Sequence, residues 1–537
     1  MTATSVAIRR PSSRAARNML DLFRTTLARS AHEPALIYFN SFTTYAELDA
    51  QSDAVAVWLE GQGTGHGDRV AIIAQNLPAF VVFSLAAWKI GAVPTPGNPM
   101  YRGPEMARIL GDAQPSAVLY QDCDAQAIDE ALALAGLENI ARAVVSPRDG
   151  QDLDDARVLP PRGDGKRALP FETILAEHNG RTPSKPDLAP GDLGLLLYTS
   201  GTTGAPKGAM LSHSSLAFNA AFMRDWSGLT GADTLIGIAP LFHITGFVCQ
   251  MCAAFACGGA LVLNYRFEPN VVLDMIRSHR PTFAIGAITA YNALSRLDHA
   301  KPADMTSLVK VFSGGAPIPP SLRDGIAQRL GLRVQPCYGM TETAAPAVFT
   351  PLDGTPPERD EVLSIGVAIP ETEIIFVDDA GKPAAACEVG ELFIRGPQVM
   401  TGYWRNPSET GAALADGWLR TGDVGFRDDK GWIYLVDRKK DVIIASGFKV
   451  WPREVEDVLY EHPSVREAAV VGVPDGYRGE TVKACISLIE GRTVSSEEVV
   501  RHCKDRLAAY KTPKIVEIHG DLPKTATGKI QRAALRG

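Results

Sequence analysis

Residues 198–208 (YTSGTTGAPKG) combine glycines, hydroxyl side chains and one lysine in a short segment. Glycines let backbone N–H groups approach a phosphate closely, hydroxyl groups add hydrogen-bond donors, and a lysine adds a compact positive charge. The segment is not a Walker A loop, because the G-x-x-x-x-G-K-[ST] spacing cannot be laid on it. We therefore predict a phosphate-binding loop of another type. Its expected binding residues are Thr199, Ser200, Gly201, Thr202, Thr203, Gly204 and Lys207.

The flanks of this loop indicate which elements position it. An apolar run over residues 194–198 leads into the loop and predicts a buried strand. After the loop, the stretch from Met210 to Met223 has the pattern of a helix that begins near Met210. The sequence therefore predicts a strand, a phosphate loop and a helix in that order.

Four shorter motifs follow along the chain. They are PLFH at residues 240–243, YGMTE at 338–342, TGD at 421–423 and PKTATGK at 523–529. PLFH precedes YGMTE, and all four come after the loop. Taken alone, a Gly-Asp or Gly-Lys pair is typical of an ordinary turn, and a histidine beside an apolar helix is typical of a core residue. Their order and spacing after the phosphate loop favour the functional interpretation.

Together these motifs resemble those of the adenylate-forming superfamily: acyl-CoA synthetases, luciferases and adenylation domains of peptide synthetases. The resemblance runs from about residue 43 to residue 531. It implies that a carboxylate attacks the α-phosphorus of ATP, giving an acyl-adenylate and pyrophosphate, and that a thiol then displaces AMP. ATP, Mg²⁺ and coenzyme A are implied as substrate, cofactor and cosubstrate. Both steps form negatively charged transition states, which need fixed cations and donors more than a general base.

The resemblance also assigns roles to the YGMTE motif. It implies that Tyr338 and Gly339 border the adenine and the acyl carbonyl, and that Thr341 contacts the α-phosphate. Glu342 is the implied Mg²⁺ ligand, since a hard cation prefers oxygen donors.

Four residues from the other motifs complete the implied site. Asp423 offers two acceptor oxygens to the ribose hydroxyls, and Arg438 contacts ribose and phosphate. His243 gates the acyl site, and Lys529 bridges the substrate carboxylate and the α-phosphate. The expected catalytic residues are Lys529, Thr341, Glu342 and His243.

Lys529 lies near the C-terminus, so the resemblance implies a small domain that closes over a large one. For the thioester step this domain must turn, so that residues 443–449 face the site instead. Ser446, Gly447, Phe448 and Lys449 are then expected to line the path of the coenzyme A thiol. Lys440, in the charged run 437–441 (DRKKD), is the expected hinge.

The pattern of elements predicts an α/β fold. Alternating strands and helices after Thr44 indicate parallel sheets with helices on both faces, and Thr44 and Glu47 form a predicted capping box. Short strands after Gly366 indicate a β-rich subdomain, and a smaller α+β unit follows. We expect a flexible leader over residues 1–20, a large adenylate-forming domain over 21–438 and a small mobile domain over 439–537.

Composition limits the possible partners. The 537-residue chain has a net charge of −7, which argues against nucleic-acid binding, and no run reaches the about 18 apolar residues of a membrane span. Arginines without acids in the first twenty residues resemble a transit peptide, although a disordered leader is the favoured interpretation. Small-molecule partners are therefore expected: a carboxylate, ATP and coenzyme A. We expect a monomer or a homodimer.

The cysteines indicate a reducing compartment. Eight are scattered along the chain, which suits the cytoplasm. Only Cys249 and Cys252 have the spacing of metal ligands, and they lie in an apolar run without a second pair. A buried helix is the expected structure there.

The substrate pocket is predicted to be apolar. Residues 240–247 contain no aspartate for an amino-acid ammonium, and the pocket segments contain no arginine for a second carboxylate. We expect a monocarboxylate, and NPMY at 98–101 resembles the medium- and long-chain fatty-acid branch. The expected pocket residues are Phe247, Ile285, Gly286, Gly314, Gly315, Ala316, Gly339 and Met340, with three glycines, Gly286, Gly314 and Gly315, leaving room for a chain.

Several alternatives stay open from the sequence. An aryl acid such as a cinnamate or benzoate is the second choice of substrate. The acyl group could also pass to a carrier protein, or the reaction could stop at the adenylate or continue as in a luciferase. A non-catalytic sensor is disfavoured because Glu342, Asp423 and Lys529 are all present.

Overall fold

The computed structural model describes residues 18–199, 206–359, 362–438, 441–445, 448–475, 479–525 and 528–536. The expected leader is therefore described only from residue 18, where Asn18 caps the helix Met19–Ser30. The predicted α/β fold is confirmed, with parallel sheets packed against helices.

The first parallel sheet is five-stranded. Its strands, in spatial order, are Val93–Pro96, Arg69–Ile73, Ala117–Gln121, Ala141–Val145 and Leu169–Pro170. The helices that accompany it are Tyr45–Gly61, Pro78–Lys89, Gly103–Ala113, Ala125–Leu134 and Phe171–His178. The predicted capping box is present: Thr44 Oγ1 accepts from Glu47 N at 3.2 Å, and Glu47 Oε2 accepts from Thr44 N at 2.8 Å.

The second sheet is nine-stranded and carries most of the site. Its strands are Val367–Ala368, Ala345–Phe349, Gln335–Met340, Lys310–Ser313, Phe283–Gly286, Thr234–Ile236, Ala260–Leu263, Pro34–Tyr38 and Ser41–Thr44. The six from Gln335–Met340 to Pro34–Tyr38 run parallel, so their carboxyl ends meet at one edge, where α/β sheets bind ligands. The accompanying helices are Met19–Ser30, His213–Trp226, Ala253–Cys257, Pro269–His279, Ile288–Ser295 and Pro320–Leu330.

The predicted helix directly after the phosphate loop is wrong in its start. Strand Leu193–Thr199 pairs antiparallel with strand Lys207–Ser212, and the helix begins only at His213, capped by Ser212. Four of residues 207–212 are buried, and pairing with Leu193–Thr199 holds the segment in an extended conformation. The loop therefore joins two antiparallel strands, and the second of them, Lys207–Ser212, also pairs with Gly402–Tyr403.

A β-rich subdomain follows, as predicted. Its antiparallel strands are Glu373–Val377, Gly390–Arg395, Trp418–Arg427, Leu414–Ala415 and Ile433–Arg438. The short helix Pro407–Ala413 directly precedes strand Leu414–Ala415.

The C-terminal unit has its own sheet and its own hydrophobic cluster. The strands are Phe448–Val450, Ile443–Ala445, Gly479–Leu488, Val465–Asp475 and Ile515–His519, and the helices are Pro452–Tyr460 and Ser496–Lys504. The second helix begins with a capping box formed by Ser495 and Glu498. The boundary at residues 438 and 439 stays a prediction, since residues 439–440 lie outside the described part of the chain.

Cys249 and Cys252 lie in a buried helical turn, Phe247–Cys252, in agreement with the expected core helix. Across the described ranges, no helix combines the length and apolar character needed to cross a membrane.

A buried asparagine, Asn76, joins the two parallel sheets beside the site. Its Nδ2 donates to the carbonyl oxygens of Gly237 (3.0 Å) and Ala239 (3.2 Å), and its Oδ1 accepts from Leu241 N at 2.8 Å. Its backbone N–H donates to Tyr265 O at 2.8 Å. The segment that leads to His243 is therefore fixed by one side chain from the other sheet.

We expect Asn76→Ala to lower the free energy of unfolding of the large domain by about 2–4 kcal/mol, because three buried backbone groups lose their partner. Asn270→Ala is the control, since Asn270 bonds only a partly exposed Glu268 carboxylate. Urea unfolding measures both variants. Equal midpoints for the two would contradict the role assigned to Asn76.

Candidate active site

A cavity of about 990 Å³ lies where the carboxyl ends of the parallel strands meet the C-terminal segment. It brings together most of the residues predicted from the motifs. The predicted nucleotide and catalytic residues that line it are Thr199, Lys207, His243, Tyr338, Thr341, Glu342, Arg438 and Lys529. The predicted acyl residues that line it are Ile285, Gly286, Gly314, Gly315, Ala316, Gly339 and Met340.

Phe247 is the one expected pocket residue that the structure places elsewhere. It is fully buried against Phe80 and Trp88, with ring centroids 6.3 and 5.8 Å apart, and does not line the cavity. The helical turn that carries Phe247 presents Cys249 to the cavity instead. The prediction failed because sequence position alone does not show which side of a fully buried turn faces a cavity.

Phe448 is the one expected thioester residue whose side chain is described, and it does not line the cavity. Phe448 is 55% exposed and stacks on Tyr510, with ring centroids 4.7 Å apart. Several expected residues lie outside the part of the chain that the structure describes. These are Ser200, Gly201, Thr202, Thr203, Gly204, Lys440, Ser446 and Gly447; of Lys449, only the backbone is described.

Tyr338, Asp423 and Arg438 form one hydrogen-bonded group. Tyr338 Oη donates to Asp423 Oδ2 at 2.6 Å, and Arg438 Nε lies 3.1 Å from Asp423 Oδ1. Burial, followed by the nearby Asp423 charge, raises the pKa of the Tyr338 phenol well above its usual value. Asp423 is almost fully buried and does not itself line the cavity, but Tyr338 and Arg438, which do, hold its carboxylate as a fixed acceptor.

Thr341 and Glu342 sit on a tight turn, Thr341–Thr343, followed by two non-glycine residues with positive φ, Ala344 at 47° and Ala345 at 86°. Asn219 stabilises this conformation: its Nδ2 donates to the carbonyl oxygens of Thr343, Ala344 and Pro346, at 2.9, 2.8 and 3.2 Å. Sequence reasoning did not identify Asn219. The available signal was a polar side chain on the apolar side of the helix His213–Trp226.

Glu342 is buried, and Tyr403 Oη donates to its Oε1 at 2.7 Å. Burial raises the pKa of the Glu342 carboxyl, while the Tyr403 hydrogen bond opposes the change. Tyr403 was also missed by sequence reasoning. It lies on strand Gly402–Tyr403, which pairs with the strand after the phosphate loop.

Lys207, the lysine of the phosphate loop, has a carboxylate partner within the protein. Its Nζ forms an ion pair with Glu409 and lies 5.3 Å from the centroid of the Tyr403 ring. Glu409 lies in the first turn of helix Pro407–Ala413 and was not identified from the sequence. Tyr403 therefore contacts both Lys207 and Glu342.

Lys529 extends into the cavity from a tight turn of the C-terminal unit. Thr525 N donates to Lys529 O at 2.7 Å, and residues 524 and 530 pair across the turn. A Cβ atom on Gly528 would lie 2.6 Å from Thr289 Oγ1, so this turn approaches the large domain closely. Burial, then the neighbouring Arg438, lowers the pKa of Lys529 to about 8, although Asp423 acts in the opposite direction.

His243 caps a short helical turn, where its Nδ1 accepts from Thr245 N at 3.4 Å. Burial, then the Lys529 charge, lowers its pKa to about 4. At neutral pH the imidazole is therefore uncharged, which suits a residue at an apolar boundary better than a proton donor.

The pocket glycines are required mainly by packing. A Cβ on Gly286 would lie 2.6 Å from Ile238 Cγ2, one on Gly314 would lie 2.9 Å from Cys337 Sγ, and one on Gly339 would lie 1.7 Å from Ala345 O. Only at Gly315, among the four, would a Cβ meet open space. The expectation that Gly286 and Gly314 leave room for substrate is therefore wrong; they leave room for protein atoms.

Two arginines of the cavity, Arg266 and Arg420, were not anticipated. Arg266 lines it together with Tyr265 and Phe267, just after strand Ala260–Leu263. The segments predicted to form the pocket did not include Arg266. The end of a parallel strand was the signal that could have found it.

The cavity places the cations of Lys207, Arg438 and Lys529 near the buried carboxylates of Glu342 and Asp423, an arrangement that suits a nucleotide. The family model described as AMP-binding enzyme matches residues 23–404, and the AMP-binding enzyme C-terminal domain matches residues 454–529. The chain therefore belongs to the AMP-binding enzyme family.

Named relatives narrow the class further. A long-chain-fatty-acid–CoA ligase of Bacillus subtilis (strain 168) is 33% identical over 533 residues, covering 97% of this chain and 94% of the relative. A feruloyl-CoA synthase of Amycolatopsis sp. is 35% identical over 511 residues, covering 94% and 96%. The crystal structure of ATP-bound MatB from Rhodopseudomonas palustris is 30% identical with a TM-score of 0.85, covering 97% and 98%. The chain is an AMP-forming acyl-CoA synthetase.

We expect acid-dependent exchange of ATP with pyrophosphate, measured as kcat/KM, to fall as pH rises through about 8, because the Lys529 amine then loses its positive charge. Lys529→Arg keeps the charge and should move this decline to above about pH 10. An identical alkaline decline in the variant would show that another group causes it.

Proposed function

We propose that this synthetase joins a medium- or long-chain fatty acid to coenzyme A through an acyl-adenylate. The observation that carries the proposal is the apolar part of the cavity lining. Five residues of the lining are buried and uncharged: Ile238, Phe242, Cys249, Ile285 and Phe349. Each methylene buried against such a surface contributes about 0.8 kcal/mol, which favours an aliphatic chain over a short acid.

An aryl acid is the second candidate, and two observations favour it. Tyr265 and Phe267 line the cavity and offer aromatic faces. The relative from Amycolatopsis sp. is a feruloyl-CoA synthase with 35% identity. In such pockets a difference of one methylene between two substrates changes binding by only about 1–3 kcal/mol, so the preferred acid must be identified by measurement.

At the nucleotide end we propose that three cations, Lys207, Arg438 and Lys529, bind the phosphates and the developing charge. Asp423 accepts the ribose hydroxyls, and Thr341 donates to the α-phosphate. Lys207 pairs with Glu409, and Arg438 pairs with Asp423. The phosphates of ATP would replace Glu409 as the partner of Lys207.

The Glu342 carboxylate fits an Mg²⁺ ion, because it is a buried oxygen donor that Tyr403 holds in one orientation. When bound, Mg²⁺ would neutralise charge on the phosphates. Thr341, next in the chain to Glu342, would then donate beside the ion.

We further propose that Lys529 serves only the first half-reaction. It bridges the carboxylate and the α-phosphate while the C-terminal unit is closed, as its position in the cavity supports. The thioester step then requires this unit to turn about Lys440. The turn would bring Ser446, Gly447, Phe448 and Lys449 toward the site, and the exposed Phe448 is available for that contact.

The acid is identified by pyrophosphate release with ATP and Mg²⁺ across acetate, hexanoate, octanoate, palmitate, benzoate, coumarate and ferulate, with and without coenzyme A. We expect the highest kcat/KM on octanoate or palmitate, with multiple turnovers only when coenzyme A is present. A maximum of kcat/KM on ferulate or coumarate would show that the substrate is an aryl acid and not a fatty acid.

Two further outcomes would change the proposed acceptor. Turnover that is independent of coenzyme A would indicate transfer to a carrier protein or release of the adenylate. An absence of reaction with all seven acids would contradict the fatty-acid and the aryl-acid proposals together.

Tyr403→Phe tests the metal assignment. The change removes the hydroxyl that orients Glu342 and should raise the Mg²⁺ concentration for half-maximal exchange by about tenfold, since partners of metal ligands typically contribute 10–100-fold. Tyr434→Phe is a matched control, because the Tyr434 hydroxyl bonds Asp428 away from the cavity. Equal Mg²⁺ dependence in both variants would contradict the assignment of Glu342 as an Mg²⁺ ligand.

A further inference from the structure

Arg532 lies three residues after Lys529, at the start of the helical turn Arg532–Leu535. Its side chain is largely buried and forms a two-pronged ion pair with Glu456, with Nε–Oε1 at 3.0 Å and Nη2–Oε2 at 2.6 Å. Glu456 is itself fixed within the C-terminal unit, because its Oε1 accepts from Val470 N at 2.8 Å. Arg532 is therefore anchored inside the unit that carries Lys529.

The remaining nitrogen of Arg532 reaches out of that unit. Nη1 donates to Asp437 Oδ1 at 2.7 Å, and Asp437 lies on the last strand of the β-rich subdomain, Ile433–Arg438. The Asp437 side chain is only 4% exposed. Its other oxygen accepts from Arg453 N at 3.0 Å, so the carboxylate is held between two groups of the C-terminal unit.

These contacts span the place where the two units join. Asp437 precedes residues 439–440, and Asp441, on the other side, lies 3.6 Å from Arg532 Nη1. If the C-terminal unit turns between the half-reactions, the pair with Glu456 moves as one body, whereas the pair with Asp437 must break. A buried carboxylate that loses a guanidinium partner is destabilised, so this pair favours the closed arrangement.

We propose that Arg532 is a positioning residue that holds Lys529 in the cavity by its ion pair with Asp437. It selectively supports the adenylation half-reaction. The proposal rests on the two-step cycle proposed above. Arg532 does not line the cavity and acts on the reaction only through Lys529.

Three variants test this role. Asp437→Asn keeps the size of the side chain and an oxygen for Arg453 N but removes the charge that attracts Arg532. Arg532→Lys keeps the charge but loses the fork that binds Glu456 and Asp437 together. Arg536→Gln is the control: Arg536 pairs with Asp441 at 2.7 Å, and both members of this pair lie after residue 440.

Each half-reaction is measured alone. We expect Asp437→Asn and Arg532→Lys to slow acid-dependent exchange of ATP with pyrophosphate by about tenfold or more. Thioester formation from a supplied acyl-adenylate and coenzyme A should stay within about twofold of wild type, because Lys529 has no part in it. Arg536→Gln should change neither rate.

A positional readout does not depend on turnover. Labelling of the Lys529 amine by acetic anhydride, followed by mass spectrometry, should become several-fold faster in Asp437→Asn than in Arg536→Gln, because the turn leaves the cavity more often. A parallel fall of both half-reactions, or unchanged exchange and labelling, overturns the proposal.

The outcomes separate this inference from the proposed function. Exchange needs neither coenzyme A nor one particular acid, so any acid that the wild type activates can be used. If the wild type transfers nothing to coenzyme A, the acceptor is wrong, while exchange and labelling still decide the role of Arg532. Equal thermal unfolding of the variants and wild type confirms that they are folded.

Discussion

The arrangement of the site depends on keeping several positive charges together in a partly dry cavity. Lys207, Arg438 and Lys529 all line it, and Lys529 has a lowered pKa because burial and Arg438 disfavour its charge. Two of the three have a carboxylate partner in Glu409 and Asp423. Such pairing lowers the electrostatic cost of burying several cations together. A phosphate or a ribose hydroxyl can then take the place of a carboxylate or a cation in each pair.

This constraint explains why the supporting residues come from distant parts of the chain. Tyr403 reaches both Lys207 and Glu342 because its short strand pairs with the strand that follows the phosphate loop. Asn219 stabilises the turn that carries Thr341 and Glu342 from a helix more than one hundred residues earlier. The cations are thus placed by one network of strands and turns, not by flexible surface side chains.

The motif residues were predictable because a phosphate or a metal demands particular side chains at short spacing, and the chain shows them in order. The residues that hold the motif residues in place could not be predicted, because each acts through a contact that only the fold creates. These residues are Asn76, Asn219, Tyr403 and Glu409. The helix after the phosphate loop was misplaced for a related reason. A six-residue strand, Lys207–Ser212, gives little pattern of its own and depends on pairing with Leu193–Thr199. Phe247 shows the same limit for a turn that is buried on all sides.

The close approach of Gly528 to Thr289 has a consequence for how the specificity of this protein can diverge. Thr289 lies on the helix Ile288–Ser295, whose Ala290 and Ala293 also line the cavity. One helix is therefore both a wall of the cavity and the surface on which the Lys529 turn rests. A substitution in this helix that adapts the cavity to a new acid also changes the surface that the Lys529 turn contacts. Selection for substrate range and selection for turnover therefore act on the same eight residues.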